Sequence, residues 1–427
     1  MLCFLLVSAW QDTLPIRQEV VSPIRNATFN KNGAAKKRKQ GGNPEIQDGR
    51  LVFEGSQDGN RQVDPQIAVG GGFVLHGTNS GIIIYDKKGN YVDGVPQSEF
   101  NNGIDPKMFF DLHNRMFAFD LWNPWDEAKL KPVNISVSET SDPRGAWNTY
   151  PVPAPGGVDG GGIGYSKRWI GYSFPGGADR TFVLKSEDAK RGKPATVYHF
   201  KGSLGHPVFN QDSNPDLPFV QLTDSEIIIT TVGSNSSGVP FVKSVVRAPH
   251  GFKYYGWPPA SPQKGTSATT ASGDRNPKNL VVQSGHLWFS HTVNVIGRAA
   301  VQWHQVRLKD AKFVQSGLIQ PEQNSAIQTT IGVNRRQDVL IGFQETGPDM
   351  FISGRFAYRL AKDVPGTVRS IVKIREGVAA TEGGAWGDYS GTVIDGDNRT
   401  DLWTIQSFAN EKGRGGTVIT RVSPPKN

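Results

Sequence analysis

From Leu51 onward, short apolar segments alternate with clusters of Gly, Pro, Asn and Asp, the pattern of strands broken by tight turns. The clearest stretch runs Gln66-Ile67-Ala68-Val69, Phe73-Val74-Leu75-His76 and Gly81-Ile82-Ile83-Ile84-Tyr85, then a turn at Asp86-Lys87-Lys88-Gly89-Asn90 and an edge at Tyr91-Val92. A second unit repeats it with Lys107-Met108-Phe109-Phe110-Asp111, a turn at His113-Asn114, Arg115-Met116-Phe117-Ala118-Phe119, Asn134-Ile135-Ser136-Val137-Ser138 and Trp147-Asn148-Thr149-Tyr150. Grouping the segments gives seven imperfect units that begin near Val63, Asp105, Val158, Phe209, Asn279, Ser325 and Glu376. Segments such as Arg168–Tyr172, Glu226–Thr230, His286–Ser290 and Asp338–Phe343 read as second strands. Spacings of about 40–70 residues suit four-stranded blades with inserted loops. One such sheet cannot cover both of its faces, so the sheets stack radially. The pattern therefore predicts an all-β fold, a β-propeller of about seven four-stranded blades, with six or eight also within the spacing. Leu51-Val52-Phe53 is expected to close the ring by pairing with a last blade built from Gly391–Ile394, Leu402–Ile405 and Thr417–Thr420. Residues 50–425 then form a single propeller domain.

Composition agrees with this: 50 Gly, 28 Pro and 10% aromatic residues describe many strands and turns and little helix. The apolar start Leu2-Cys3-Phe4-Leu5-Leu6-Val7, followed by Ser8-Ala9, looks like the core of an export signal over residues 1–10, although it lacks a basic leading segment. Export places the protein outside the cell or in a periplasm. Cys3 is the sole cysteine, so a processed chain offers no disulfide and no thiolate metal site. No later stretch reaches the ~20 apolar residues of a membrane span. The net charge of +8 invites an anionic partner, but residues 1–50 hold eight Lys and Arg against four acids, half of the excess. Residues 11–49, with Lys36-Lys37-Arg38-Lys39, read as a basic, disordered linker. Nucleic acid does not suit an exported protein, and the chain reads as a monomer.

Three segments carry a resemblance. Val63-Asp64-Pro65-Gln66-Ile67-Ala68-Val69-Gly70 with Asn79-Ser80-Gly81-Ile82-Ile83-Ile84-Tyr85-Asp86, then Ser138-Glu139-Thr140-Ser141-Asp142-Pro143-Arg144-Gly145-Ala146-Trp147, then Trp386-Gly387-Asp388-Tyr389-Ser390-Gly391, together resemble a family of secreted, largely uncharacterised bacterial propellers related in form to sialidases. The middle segment is similar to an Asp-box, with Asp142 and Trp147 in place and Gly145 displaced by one position. The resemblance implies a structural role there: the acid satisfies turn amides and the indole packs between blades. Sialidase chemistry needs an arginine cluster and a Tyr/Glu pair, and no Phe-Arg-Ile-Pro-type motif stands in the first blade.

The candidate chemistry is that of a sugar site. Trp386, Asp388 and Tyr389, beside turn-permitting glycines, mix ring faces with hydrogen-bonding groups, and Asn79 adds an amide; the same residues also suit a capped turn between blades. A polysaccharide lyase needs a base and a cation that neutralises a uronate carboxylate, and His76, His291, Tyr172 and Lys107 supply those types. Asp395, Asp397 and Asp401 gather oxygen ligands for Ca2+ without the spacing of an EF-hand, and Asp212, Asn214 and Asp216 form a weaker cluster. Neither a phosphate loop nor a nucleophile elbow is present; Gly156–Gly162 lacks the lysine and helix that a phosphate loop requires. The residues thus point to an extracellular propeller that binds, and as a lyase cleaves, an acidic polysaccharide. The alternatives are a non-catalytic cell-surface protein scaffold and a glycoside hydrolase with Asp388 as one of its acids.

Overall fold

The computed structural model describes residues 14–26, 44–57, 62–122, 131–154, 160–174 and 181–425. The export-signal segment 1–10, the basic run 36–39 and the unit start at Val158 lie outside them. The runs that alternate on either side of an Asp-led turn become antiparallel pairs. Asp86 and Asp111 show why: the Asp86 carboxylate accepts the amides of Lys88 and Asn90, and Asp111 accepts those of His113 and Asn114. Such side chains mimic a further turn of backbone and fix the reversal.

Seven four-stranded antiparallel units follow one another, each starting on an inner strand: Gln66–Gly70, Ile104–Asp111, Gly162–Tyr165, His206–Pro207, Leu280–Gln283, Ser325–Val333 and Gly391–Ile394. We number them blades 1 to 7. Neighbouring inner strands contact one another around the ring, with Phe209–Asn210 making the link into blade 5, and the seventh contacts the first, so the described units form a closed ring. Phe209–Asn210 pairs in parallel with the inner strands of blades 3 and 5 and merges those two blades into one ten-stranded sheet. Arg50–Glu54 pairs with Gly415–Val422 of blade 7, in the register Phe53 to Ile419, and closes the ring as the sequence predicts.

The core lies between blades. Leu51 and Phe53 of the closing strand pack with Ile67, Tyr85, Trp403 and Ile419 where blades 7 and 1 meet. Trp147 is wholly buried between blades 1 and 2, against Phe100 and Phe119, and donates its Nε1 to Pro143 O at 2.8 Å. In the same turn Asp142 accepts the Arg144 amide at 3.0 Å and its guanidinium at 2.9 and 2.6 Å.

Three details differ from the sequence reading. Glu226–Ser234 is the third strand of blade 4, because the inner strand is only His206–Pro207 and Leu217–Leu222 stands second. Blade 7 begins at Gly391 and not near Glu376, which directly follows the outer strand Val372–Arg375 of blade 6. Residues 17–26, read as part of a linker, add edge strands instead. Arg17–Val21 pairs with Ala195–Phe200 and Ile24–Asn26 with Trp147–Ala154, covering edges that would otherwise expose unpaired amides.

The acidic clusters proved to be clasps. Asp397 accepts the amides of Gly71 and Gly72, both at 2.9 Å, joining blade 7 to the first turn of blade 1. Asp212 does the same for Ser284 and Gly285 of blade 5, at 2.7 and 2.8 Å. Lys87 reaches Asp395 and Asp397, Arg115 reaches Asp397 at 2.6 Å, and Asp216 is paired with Lys243 at 2.7 Å. Asp395 also accepts the Trp403 indole at 3.1 Å, and Asp401 contributes its backbone oxygen to the Asp395 amide. An ammonium stands where the expected Ca2+ would sit, so Asp395, Asp397 and Asp401 do not fit a calcium ion. No group of three His, Cys, Asp or Glu among the described residues is arranged for a metal. Against the upward push of burial, Lys87 and Arg115 hold the Asp397 carboxyl well below its ordinary range. Asp397→Ala is expected to cost about 2–4 kcal/mol, the loss of two amide bonds and two charge-assisted contacts, measured as a lower urea midpoint.

Candidate functional site

Because all seven inner strands run the same way through the ring, their N-terminal ends meet at one mouth of the channel. The side chains gathered there come from every blade. Blade 1 gives Asp64, blade 2 Asp105 and Lys107, blade 3 the Gly161 carbonyl, blade 4 His206, blade 5 Lys278, blade 6 Gln328, and blade 7 Asp388 and Tyr389. Lower in the channel the space is packed with apolar and aromatic groups, among them Val69, Phe109, Tyr165, Phe209 and Val281. Phe109 stacks on Tyr165 with centroids 4.6 Å apart. The mouth is therefore a blind site.

Lys107 is its centre. Its ammonium is almost fully buried, donates to Gly161 O and lies 4.3 Å from the centroid of the Tyr389 ring. Lys278 approaches the same ring at 5.8 Å and is held by Asp274 at 3.1 Å. A Cβ placed on Gly162 would lie 3.4 Å from both Lys107 Nζ and His206 Nδ1, which sets the ammonium and the imidazole on the same side of this strand. Burial, then repulsion from Lys278, pushes the Lys107 ammonium down to about 8, while Asp120, Asp105 and Asp388 pull the other way. Burial and the same two lysines hold His206 well below the ordinary histidine value, so its imidazole is neutral at pH 7. Beneath Lys107, the Asp120 carboxyl accepts the Lys107 amide at 3.0 Å and is pushed by burial up to about 7.

The segment that carries Tyr389 is fixed from three sides. Asp64 accepts the Asp388 amide at 2.5 Å and the Asn79 side-chain amide at 2.6 Å. Asn79 in turn accepts the Asp105 amide at 2.8 Å, tying blades 1 and 2. Gln66 donates to Ser390 O at 2.9 Å, Gln328 donates to Gly387 O, and Ser390 donates to Gln328 O at 2.8 Å. Burial, followed by the charge of Asp105, pushes the Asp64 carboxyl up to about 7. Asp64, Asp105 and Gln328 hold φ of +45°, +55° and +51°, a left-handed conformation that costs such residues energy and that recurs around functional sites.

Of the residues singled out in the sequence, Lys107, Asp388 and Tyr389 come together at this mouth, and Asn79 supports it. The others lie elsewhere. His76 is buried between blades 1 and 7, 3.5 Å from Thr417 Oγ1 and stacked on Tyr85. His291 bonds to Arg275 O at 2.7 Å and to His304 at 3.1 Å inside the outer part of blade 5. Tyr172 is buried against Phe174 and Phe182, its hydroxyl pressed under Gly161. Trp386 packs with Ala299, Ile327 and Ile352 in the core between blades. As strand residues with sealed surroundings, His76 and His291 do not face the mouth; Tyr172, buried as well, borders it only from beneath Gly161, and Trp386 has no free ring face to offer a ligand. His206, Lys278, Asp64 and Asp105 escaped the sequence reading. Their signal was position alone, within a few residues of the start of an inner strand.

The buried histidines give a pH prediction. Burial lowers His76 to about 3 and His291 to about 4, and holds His206 and His304 well below the ordinary value. Below about pH 6.5 the unfolded chain gains protons at these four that the fold refuses, so stability falls with pH. Asp64, Asp111 and Asp120, raised by burial, act in the opposite sense over the same range because the fold binds their protons more tightly. The histidines outnumber them by four to three, leaving a net uptake on unfolding of about one proton, roughly 1.4 kcal/mol per pH unit. The melting temperature is expected to fall steadily from pH 6.5 to pH 5; a rise would contradict it.

No family model matches the chain, and no curated protein matches it in sequence. Solved structures are similar in shape. Apo AztD from Citrobacter koseri shares 11% identity over 73% of each chain, with a TM-score of 0.34. A polysaccharide lyase of family PL25, an ulvan lyase bound to -[GlcA(1-4)Rha3S]-, shares 10% identity over 94% of this chain and 95% of its own, with a TM-score of 0.39. A protein of unknown function from Dyadobacter fermentans shares 10% over 94% and 98%, with a TM-score of 0.37. At these identities the likeness concerns the fold alone. No helix among the described residues is long and apolar enough to cross a membrane.

Proposed function

We propose that this propeller binds an acidic saccharide at the mouth of its channel and cleaves it by β-elimination, as an exported protein acting on extracellular polysaccharide. The observation that supports this reading is the convergence of Lys107 and Lys278 on the face of Tyr389, with neutral His206 on the same side of Gly162 as Lys107. A carboxylate placed between the two ammonium groups is neutralised, which acidifies the carbon-bound proton beside it. His206, uncharged, accepts that proton; the carbon–oxygen bond to the next sugar breaks as a carbon–carbon double bond forms. The phenol of Tyr389 supplies the proton that the departing oxygen requires. The step leaves His206 protonated and Tyr389 as a phenolate, and passage of that proton from the imidazolium to the phenolate through solvent restores both.

A hydrolase reading would need an acid and a second carboxylate facing one glycosidic bond. Asp64 keeps a proton to about pH 7, but it is 2% exposed and both its oxygens are bound to Asp388 and Asn79. It braces the mouth and does not reach a substrate. The test is to incubate the protein with ulvan, alginate, pectin and chondroitin and follow the ultraviolet absorbance of unsaturated ends. Growth of that absorbance on one of them supports elimination. New reducing ends without it would establish hydrolysis instead, and binding to none of the four would leave a protein scaffold as the better account.

A further inference from the structure

Trp257 is the only tryptophan among the described residues whose ring is left mostly in water, at 57% exposed, whereas Trp147, Trp169, Trp288, Trp303 and Trp403 are fully buried. Its exposure is not slack. The Arg275 guanidinium stands 5.1 Å from the Trp257 centroid and 4.8 Å from that of Tyr255. Arg275 is itself fixed, by Asp224 at 2.8 Å and by Tyr255 O at 3.3 Å. Pro258 and Pro259 follow Trp257 and stiffen its backbone, and Ser272 donates to Pro259 O at 2.6 Å. The loop is then bonded to the segment leading to Tyr389: Ala271 donates to Gly384 O and Gly384 to Thr269 O, both at 2.8 Å. A rigid indole backed by a guanidinium thus presents a flat face beside the mouth.

The same short segment serves both places. Arg275 touches Trp257, and Lys278, three residues on, touches Tyr389. Their Cα atoms cannot be more than about 11 Å apart. Lys253, Arg275 and Lys278 line this rim, the last two paired with Asp224 and Asp274, and their N–H donors suit the hydroxyl and carboxylate groups of a polar polymer better than an apolar partner. Sugar rings offer C–H faces to the open face of an indole, while the guanidinium behind it holds the ring in place.

We propose that Trp257 is a second subsite, a stacking platform for a sugar ring further along the acidic saccharide whose uronate occupies the mouth. The proposal rests on the function argued above and extends it to the length of chain recognised. The test is calorimetric titration of size-fractionated oligosaccharides from ulvan, alginate, pectin and chondroitin into the wild-type protein, Trp257→Ala, Trp257→Phe and Lys107→Ala. Trp257→Ala is expected to keep its melting temperature and its affinity for disaccharides, and to bind the longer fractions at least about tenfold more weakly. Trp257→Phe should retain most of that affinity, and Lys107→Ala should weaken every length. Equal binding of long fractions by wild type and Trp257→Ala, with Lys107→Ala impaired, would overturn the platform and leave the mouth. An equal loss at all lengths in Trp257→Ala would also overturn a separate subsite. A loss in Trp257→Ala with none in Lys107→Ala would remove the mouth reading, and no binding of any fraction by wild type would remove both.

Discussion

Deletion of residues 46–56 lowers the thermal midpoint by about 10 °C or more, or abolishes the cooperative transition altogether. The strand Arg50–Glu54 is the fourth strand of blade 7, and its ladder to Gly415–Val422, continued by the bonds of Gly55 and Ser56 to Thr417, ties the N-terminal part of the chain into that blade. Leu51, Val52 and Phe53 are 6%, 4% and 1% exposed, and Phe53 meets Tyr85 of blade 1 at 5.1 Å. Burying three such side chains stabilises by roughly 1.5–3 kcal/mol each, about 5–9 kcal/mol together. That is comparable with the whole net stability of an ordinary domain, about 5–15 kcal/mol. The loss falls where blades 7 and 1 must stay in contact, so opening the ring exposes the apolar faces of both. Calorimetry checks the midpoint. Adding the 46–56 segment back as a peptide should restore part of it, because the vacated edge of Gly415–Val422 still offers its hydrogen bonds. An unchanged melt would mean that the ring does not depend on this strand.

The architecture was readable because its determinants are local. Short, near-continuous apolar runs at Phe73–Thr78 and Gly81–Asp86, with an Asp-led turn after them, specify antiparallel neighbours wherever they occur, and repetition of the unit specifies the rest. Blade 4 was misread for the opposite reason: an inner strand of two residues, one of them proline, carries no period to detect. The site was less legible, since it depends on which end of each strand faces the mouth. His76 and His291 sit mid-strand, where the period of two says that they point to one face without saying that the face is sealed by another blade. The acids at 395–401 looked like cation ligands because Lys87 and Arg115, which neutralise them, lie some 280–310 positions earlier in the chain. Lys107 was found by residue type, whereas His206 and Lys278 become visible only once the inner strands are known to run in parallel around the ring.

Lys107→Ala is expected to reduce saccharide binding and cleavage by roughly 30-fold or more, the equivalent of at least about 2 kcal/mol for removing a buried charge opposite its partner. Lys278→Ala should cost less, because its side chain is more exposed and already shared with Asp274. The pH dependence separates charge from packing. Burial sets Lys107 at about 8, so in the free protein a growing fraction of the side chain loses its charge as pH rises through that value. An anionic ligand favours the charged form, and its affinity must therefore fall as pH rises above about 8. In Lys107→Arg the guanidinium stays charged throughout, and the decline should vanish even if the affinity itself is lower. Both quantities come from titrations at pH 6 to 9.5 with the best-bound polysaccharide fraction. If wild type and Lys107→Arg decline alike, Lys107 is a structural cation that bonds Gly161 and Tyr389 and takes no part in holding the ligand.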